Sequence, residues 1–428
     1  MEFLEFGKFY LGNLFEFGIS WWWLIVPFYL FPIMFDFWIF SVVAEHYHSN
    51  RYVVLDIKVP RELEKSPKLM ENVVEGMWTV LGEIRNFMEI VCWGDWQDYF
   101  SLEIAGTEGK VHFAIWLRDE RIDFFKSHIY AQFPEAEIEE MEEDYMNAVP
   151  DDAPNDEWEA WGLVWILDKP DAYPIRVYSM FQDFVTGSMV DPLGSYMEVL
   201  GNLGPGEHMW YQLLVYPVTN DKWFPDFSRE MEKILDRGRY KEKVSFWDGL
   251  IKDLLALPMQ TISAMFKYPE PGSLTLTEAE KEEDKIPFLR LSPSEQSTYK
   301  IMEDTFSKRG FRAQYRSIYV ARREAFRGSN ISSMMGAVNQ FNAVDLNSLN
   351  LYRPYFTSCT YMFAESRVRY RKKRLLRIMK NRMFSGASYI FNTEEIASLW
   401  HFPDMAIKAP KTPRIGSKQA TPPANLPE

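Results

Sequence analysis

The succession of apolar and polar positions divides the chain into one long greasy run and three patterned blocks. Trp21 to Val43, WWWLIVPFYLFPIMFDFWIFSVV, holds 23 residues and a single charge, Asp36. At about 1.5 Å per helical residue, such a run reaches across a hydrocarbon layer of roughly 30 Å, so it predicts a transmembrane helix. Three tryptophans at one end, with His46, Tyr47 and His48 beyond the other, suit the two membrane interfaces. A secretory leader fits poorly, because the run lacks a basic start and a small-residue cleavage site. A buried core helix is the rival reading. Pro27 and Pro32 predict a kink. Asp36 predicts an intramembrane contact with a partner helix, and hence a homo-oligomer, unless it snorkels to the headgroups. Residues 1–20 suit an interfacial segment lying on the membrane. Only Lys8 precedes the run, whereas Arg51, Lys58, Arg61, Lys65 and Lys68 follow it. That asymmetry predicts a single-pass anchor in the cell membrane with the C-terminal bulk in the cytoplasm.

Beyond the run, period-two and period-3.6 patterns alternate. In the first block YVVLDIKVP reads as a strand, and Pro67 to Glu83 carries apolar residues at helical spacing. YFSLEIAG and KVHFAIWL form a hairpin around Thr107 to Gly109, Arg121 to Gln132 is a second helix, and AEIEEM a last strand. The order β-α-β-β-α-β predicts a ferredoxin-like α+β domain over 50–146. A second α+β domain is expected over 157–239. Its strands are WEAWGLVWILD, YPIRVYS and HMWYQLLVYPV, and its helices lie near Asp191 to Leu200 and Phe227 to Leu235. Residues 240–285 read as an amphipathic insertion followed by a charged linker. The third α+β domain, 286–403, opens with a helix over Ser292 to Arg309 capped by Ser294, then the strand GFRAQYRSIYVAR and a Met-rich helix over Asn330 to Asn342. It closes on FNTEEIASLWHFP, a short strand running through an Asn-Thr cap into a brief helix. Residues 404–428 form a Pro-rich tail or connector. The predicted fold class is therefore α+β: one N-terminal transmembrane helix followed by tandem ferredoxin-like (βαββαβ) sandwich domains.

Charge changes this picture by its distribution. A net charge of -14 excludes a body that coats nucleic acid over its whole surface. Glu135 to Glu159 contains twelve acidic residues and no basic one, and reads as a solvated linker face. Arg367 to Arg382 is the converse, nine basic residues in sixteen positions: Arg367, Arg369, Arg371, Lys372, Lys373, Arg374, Arg377, Lys380 and Arg382. Leu375, Met379 and Met383 recur every four residues, giving this helix an apolar edge to pack while its other faces stay positive. DNA phosphates, anionic lipid headgroups and an acidic partner, such as the acidic run of a neighbouring subunit, compete as its ligand. A solvated face with no ligand stands beside them.

Catalytic signatures are absent from the sequence. Gly7-Lys8 and Gly109-Lys110 lack the surrounding residues of a phosphate-cradling loop, the six histidines form no HExxH pair, and no GxSxG occurs. Cys92 and Cys359 have no metal-type spacing and are expected to stay reduced. The chain is expected to be non-enzymatic, with no catalytic, cofactor or metal site.

Several motifs in order carry a resemblance: VPRELEKSPKLMENVVEGMW, VHFAIWL, IYAQFPEAEIEEMEEDY, DPLGSYMEVLGNLGPGEHMWYQLLVYP, RVRYRKKRLL, FNTEEIASLWHFP and PPANLP. From Tyr52 to Pro427 the chain resembles the N-terminal, membrane-proximal region of type IV secretion or conjugation-type coupling ATPases of the HerA/FtsK superfamily. The resemblance implies a membrane-anchoring and assembly region for a DNA-translocating ATPase, with a P-loop ATPase domain or subunit, the membrane, further copies of itself and DNA as partners. The nucleotide-binding residues of that family lie beyond the part that is matched, so none carries over. The brief helix at Glu394 to Trp400 would then pack against the front of the motor. A free-standing membrane scaffold with no ATPase or DNA partner is the alternative.

Overall fold

The strands of all three blocks pair into one antiparallel sheet. The computed structural model describes residues 27, 30–47, 49–59, 66–81, 87–94, 97–181, 190–236, 291–360 and 362–404. The segments expected at 1–20 and 240–285, and the tail after 404, lie outside the described residues. In the first block β1 (Tyr52–Lys58) is followed by α1 (Pro67–Met77), α2 (Phe87–Trp93), the hairpin β2 (Phe100–Thr107) and β3 (Lys110–Arg118), α3 (Ile122–Gln132) and β4 (Glu137–Glu140). Ser66 starts α1 by accepting the Lys68 amide, and Pro67 supplies the preset first-turn backbone. The β2–β3 turn places Glu108 at φ 52° and Gly109 at φ 82°, the left-handed pair that a tight two-residue hairpin requires.

Next come β5 (Trp158–Leu167), α4 (Gly194–Gly201), β6 (Glu207–Pro217), α5 (Asn220–Asp236), α6 (Pro293–Phe306), β7 (Gly310–Arg322), α7 (Gly328–Asn339) and β8 (Leu349–Leu351). The last elements are α8 (Ala364–Lys380), β9 (Tyr389–Asn392) and α9 (Thr393–Leu399). The sheet runs β4-β1-β3-β2-β6-β7-β5-β8, with β9 pairing to the start of β7. The two halves meet where β2 lies antiparallel to β6, from Phe100 opposite Val215 to Thr107 opposite His208.

Several expectations are corrected by this topology. The blocks expected as separate second and third domains share one sheet, because β7 of the third lies between β6 and β5 of the second. Both faces of β6 and β7 are buried along almost their whole length, so neither strand could close a domain on its own. YPIRVYS is not a strand. Its amides are taken one by one, Ile175 by the Glu395 carboxylate at 3.0 Å, Arg176 by the Phe341 carbonyl at 2.8 Å and Tyr178 by the Ser398 hydroxyl at 2.7 Å, leaving no ladder to form. Helix α6 is capped by Ser292 rather than Ser294, with Pro293 in its first turn and Glu295 closing a capping box.

Two layers cover the sheet. On one face α1, α3, α4, α7 and α9 bury Met70, Val73, Phe125, Ile129, Tyr196, Leu200, Met334, Val338, Ile396 and Trp400 in a single core. Helix α9 is corrected as well. All of its side chains except Glu394 are buried, and it packs on α1 of the same chain instead of awaiting a motor. The Trp400 indole donates to the Glu103 backbone carbonyl at 3.1 Å, and Phe402 meets Phe113 and Phe133 edge to face. On the opposite face lie α8 and the segment around Tyr145 to Ala153. A smaller cluster joins Trp223, Phe227 and Met302 of α5 and α6 to Ile390 of β9.

The greasy run is helical over 30–47. Among the described residues no helix is long and apolar enough to cross a membrane, so the spanning helix expected over 21–43 is not supported there. Residue 27 and residues 30–47 are helical, and the helix runs on past Val43 into Glu45 and His46, carrying Asp36 with it. Residues 21–26, 28 and 29 lie outside the described residues.

Candidate interaction surface over a buried charge cluster

Helix α8 lies on the sheet through Leu375, Leu376, Ile378 and Met379, all buried. Expected as the end of the apolar edge, Met383 stays partly exposed instead. The helix stops at Lys380, and Arg382 turns into the left-handed region at φ 50°, which swings the chain off the helical path.

The acidic and basic stretches of this one chain meet each other. Lys372 binds Glu159 at 2.6 Å, and Lys380 binds Asp151 at 2.5 Å and the Val149 carbonyl at 2.5 Å. Arg382 donates to Asp144 at 2.5 Å. Thus the acidic stretch, read as a solvated linker face, contributes three anchoring carboxylates. Burial pushes the Glu159 carboxyl up, but Lys372, the Ala160 amide and Arg323 outweigh it and hold the group below its ordinary range. Arg371 is directed along the chain, donating to the Phe356 and Ser358 carbonyls at 3.1 and 3.0 Å. Arg374, an exposed residue, places its guanidinium 4.4 Å over the Tyr355 ring. Arg367, Arg369 and Arg377 are exposed and Lys373 is half-buried. Asp36 sits on helix 30–47, solvent-exposed.

Beneath α8 lies a polar cluster that sequence reasoning missed. Glu103 of β2, Gln212 of β6 and Arg316 of β7 stand directly opposite one another across the seam. Glu103 is fully buried and takes Arg382 through two bonds, at 2.9 and 3.0 Å. It also accepts from Ser101 at 2.7 Å, Tyr145 at 2.7 Å and Gln212 at 2.6 Å. Gln212 in turn accepts from Arg316 at 2.5 Å, and Arg316 reaches the Met383 carbonyl at 2.7 Å. Burial works against the Arg382 charge, but Glu103, Tyr145 and Asp144 outweigh it and push the pKa well above the ordinary value. Among the described residues Arg316 has no carboxylate in direct contact, and burial pulls it down to about 9 despite the field of Glu103. Alternation in β2, β6 and β7 places these three residues on one face. Their register across the seam was the part hidden in the sequence.

Polar pairs on the other face are also structural in form. Arg327 and Asn330 grip Glu207 together with the Tyr319 hydroxyl. His401 meets Asp191 at 2.9 Å, and although burial raises the Asp191 carboxyl, His401 and the amides of Asp404 and Leu193 hold it low. Among the described residues no group of His, Cys, Asp or Glu is arranged to hold a metal ion.

These features define a mixed α/β protein built on a large antiparallel sheet, with a basic helix fastened over a buried ion-pair cluster. The chain belongs to the family described as Domain of unknown function (DUF8128), whose model matches residues 45–414. No curated protein matches it.

Proposed function

We propose that this chain is a non-catalytic, membrane-associated assembly platform, the role implied by its resemblance to the front region of DNA-translocating coupling ATPases. One observation carries the reading. Helix 30–47 presents Leu30, Phe31, Ile33, Met34, Phe37, Trp38 and Phe40, each 52–69% exposed, and α2 adds Met88 and Trp93 beside it. An apolar surface of this extent marks a membrane or protein contact. Helix 30–47 contacts α2 and the residue after it: the Trp38 indole donates to the Val91 carbonyl at 3.0 Å, and Gly94 backs onto Val42 where a Cβ would meet the carbonyl at 2.4 Å. In this reading each half of the sheet is a ferredoxin-like unit. Strand orders β4-β1-β3-β2 and β8-β5-β7-β6 match the split βαβ arrangement, with α5 and α6 inserted between β6 and β7. Two such units fused edge to edge make a wide rigid base, and the buried charges hold its seam. The translocating motor is a separate domain or subunit that docks on this base.

Flotation of the full chain with neutral phosphatidylcholine vesicles tests the anchor. The wild type is expected to float and Phe37→Asp/Phe40→Asp to remain in solution. A detergent-free, lipid-free soluble wild type would overturn the reading. Co-purification from the native membrane tests the motor: recovery of the intact chain without an ATPase removes that part of the proposal.

A further inference from the structure

Helix α8 and helix 30–47 converge on one residue pair. The Tyr47 hydroxyl donates to the Asn381 carbonyl at 3.3 Å, joining the end of the apolar helix to the residue that follows α8. The Tyr47 ring also stacks on Tyr52 at 4.6 Å, and Tyr52 on Trp116 at 4.4 Å, on the sheet face that α8 covers. The C-terminal end of the basic helix therefore lies beside the C-terminal end of the apolar one.

The outward side of α8 has the composition of a membrane interface. Arg367, Tyr370, Lys373, Arg374 and Arg377 recur at three- and four-residue spacing opposite the buried edge, so they share a face. Tyr370 is 66% exposed among these cations. At the start of the helix Met362 and Phe363 are 74% and 73% exposed, with Phe363 held at φ 58°. Exposed apolar and aromatic side chains interleaved with arginine and lysine fit the headgroup and upper acyl region of a bilayer. A duplex would meet Met362 and Phe363 with phosphate, to no gain. Lys372 and Lys380, on the flank facing the acidic segment, are already engaged by Glu159 and Asp151.

We propose that this outward face of α8 docks on anionic phospholipid headgroups, setting the sheet against the bilayer surface beside the apolar helix. The proposal rests on the membrane-associated reading above and extends it to a lipid class and a second contact.

The test is flotation of the full chain with phosphatidylcholine vesicles, with and without one third phosphatidylglycerol. The wild type is expected to bind the anionic vesicles roughly tenfold more tightly, a gain lost at high salt. Lys373→Glu/Arg377→Glu should lose that gain while still binding neutral vesicles, and Lys373→Gln/Arg377→Gln should show a smaller loss in the same direction. Equal wild-type binding to both vesicles overturns the docking face and leaves the apolar anchor standing. Absence of binding to either overturns both. If the charge-reversed variant keeps its lipid preference but loses salt-sensitive binding to a short DNA duplex, the face belongs to nucleic acid and the proposal fails.

Discussion

Arg382 and Glu103 face each other as parallel forks, Nε to Oε1 at 2.9 Å and Nη2 to Oε2 at 3.0 Å, across 279 residues of sequence. Neither side chain reaches solvent to any useful extent, at 3% and 0% exposure. Removing one partner of such a pair strands the other charge, so Arg382→Met is expected to cost about 3–5 kcal/mol in urea denaturation. Glu103→Gln/Arg382→Met should recover part of it, because an amide still meets Ser101, Tyr145 and Gln212 without a net charge. A loss below about 1 kcal/mol for the single variant would show that water reaches the cluster.

The acidic segment is fastened to α8 by the mostly buried pair Lys372–Glu159 and by Lys380 with the exposed Asp151, and Lys372→Met tests the first. We expect a loss of about 1–2 kcal/mol near neutral pH. Glu159 has a lowered pKa in the folded protein, so its pairing contributes stability above its ordinary value and the contribution fades as pH falls through the lowered one. The gap between wild type and variant should therefore narrow in acid. Thermal unfolding between pH 3 and 7 reads this directly, and a constant gap contradicts the assignment.

Glu395 behaves in the opposite sense. Burial raises its pKa to about 8, although the Asn392 and Ile175 amides both favour the ionised form. A carboxyl raised on folding contributes fully below its unfolded value of 4.5 and loses that contribution as pH climbs to about 8. At about 1.4 kcal/mol per unit, the wild type should lose several kcal/mol over that window relative to Glu395→Gln. Urea midpoints at pH 5 and pH 8 decide the matter. Parallel behaviour of the two proteins would mean that Glu395 ionises in place.

Gly162 sits where β5 crosses close to β7. An added Cβ would meet the Ser317 carbonyl at 2.5 Å and the Ile318 Cα at 2.9 Å, both backbone atoms that cannot swing aside. Gly162→Ala should cost about 1–3 kcal/mol. Gly328→Ala, with nothing within 4 Å, should be neutral or slightly stabilising. Melting temperatures of the two variants provide the comparison.

The sequence revealed what local patterning controls and concealed what distant partners control. β1, β2 and β3 were visible because each alternates or runs apolar between clear turns, and α1 because Leu69, Val73, Val74 and Met77 recur at helical spacing. The partnership of β5 with β7 was invisible, since the two strands are separated by α4, β6, α5 and α6. YPIRVYS looked like a strand because alternation cannot show that its amides are claimed by Glu395, Phe341 and Ser398 from far along the chain. The two charge blocks were conspicuous, but composition does not say that they bind each other. Arg382 read as the last residue of a basic surface. It is buried because the helix ends two residues earlier and the left-handed turn aims it at Glu103.

The position of α9 on α1 has a consequence for biosynthesis. The face of the sheet closed by Ile396 and Trp400 stays open while the ribosome makes almost everything between. At bacterial or eukaryotic elongation speeds that interval lasts tens of seconds, during which Met70, Val73 and their neighbours have no lid. That apolar face stays uncovered until Thr393 to Leu399 have emerged, and a stop codon placed before Thr393 would release a polypeptide with its core uncovered.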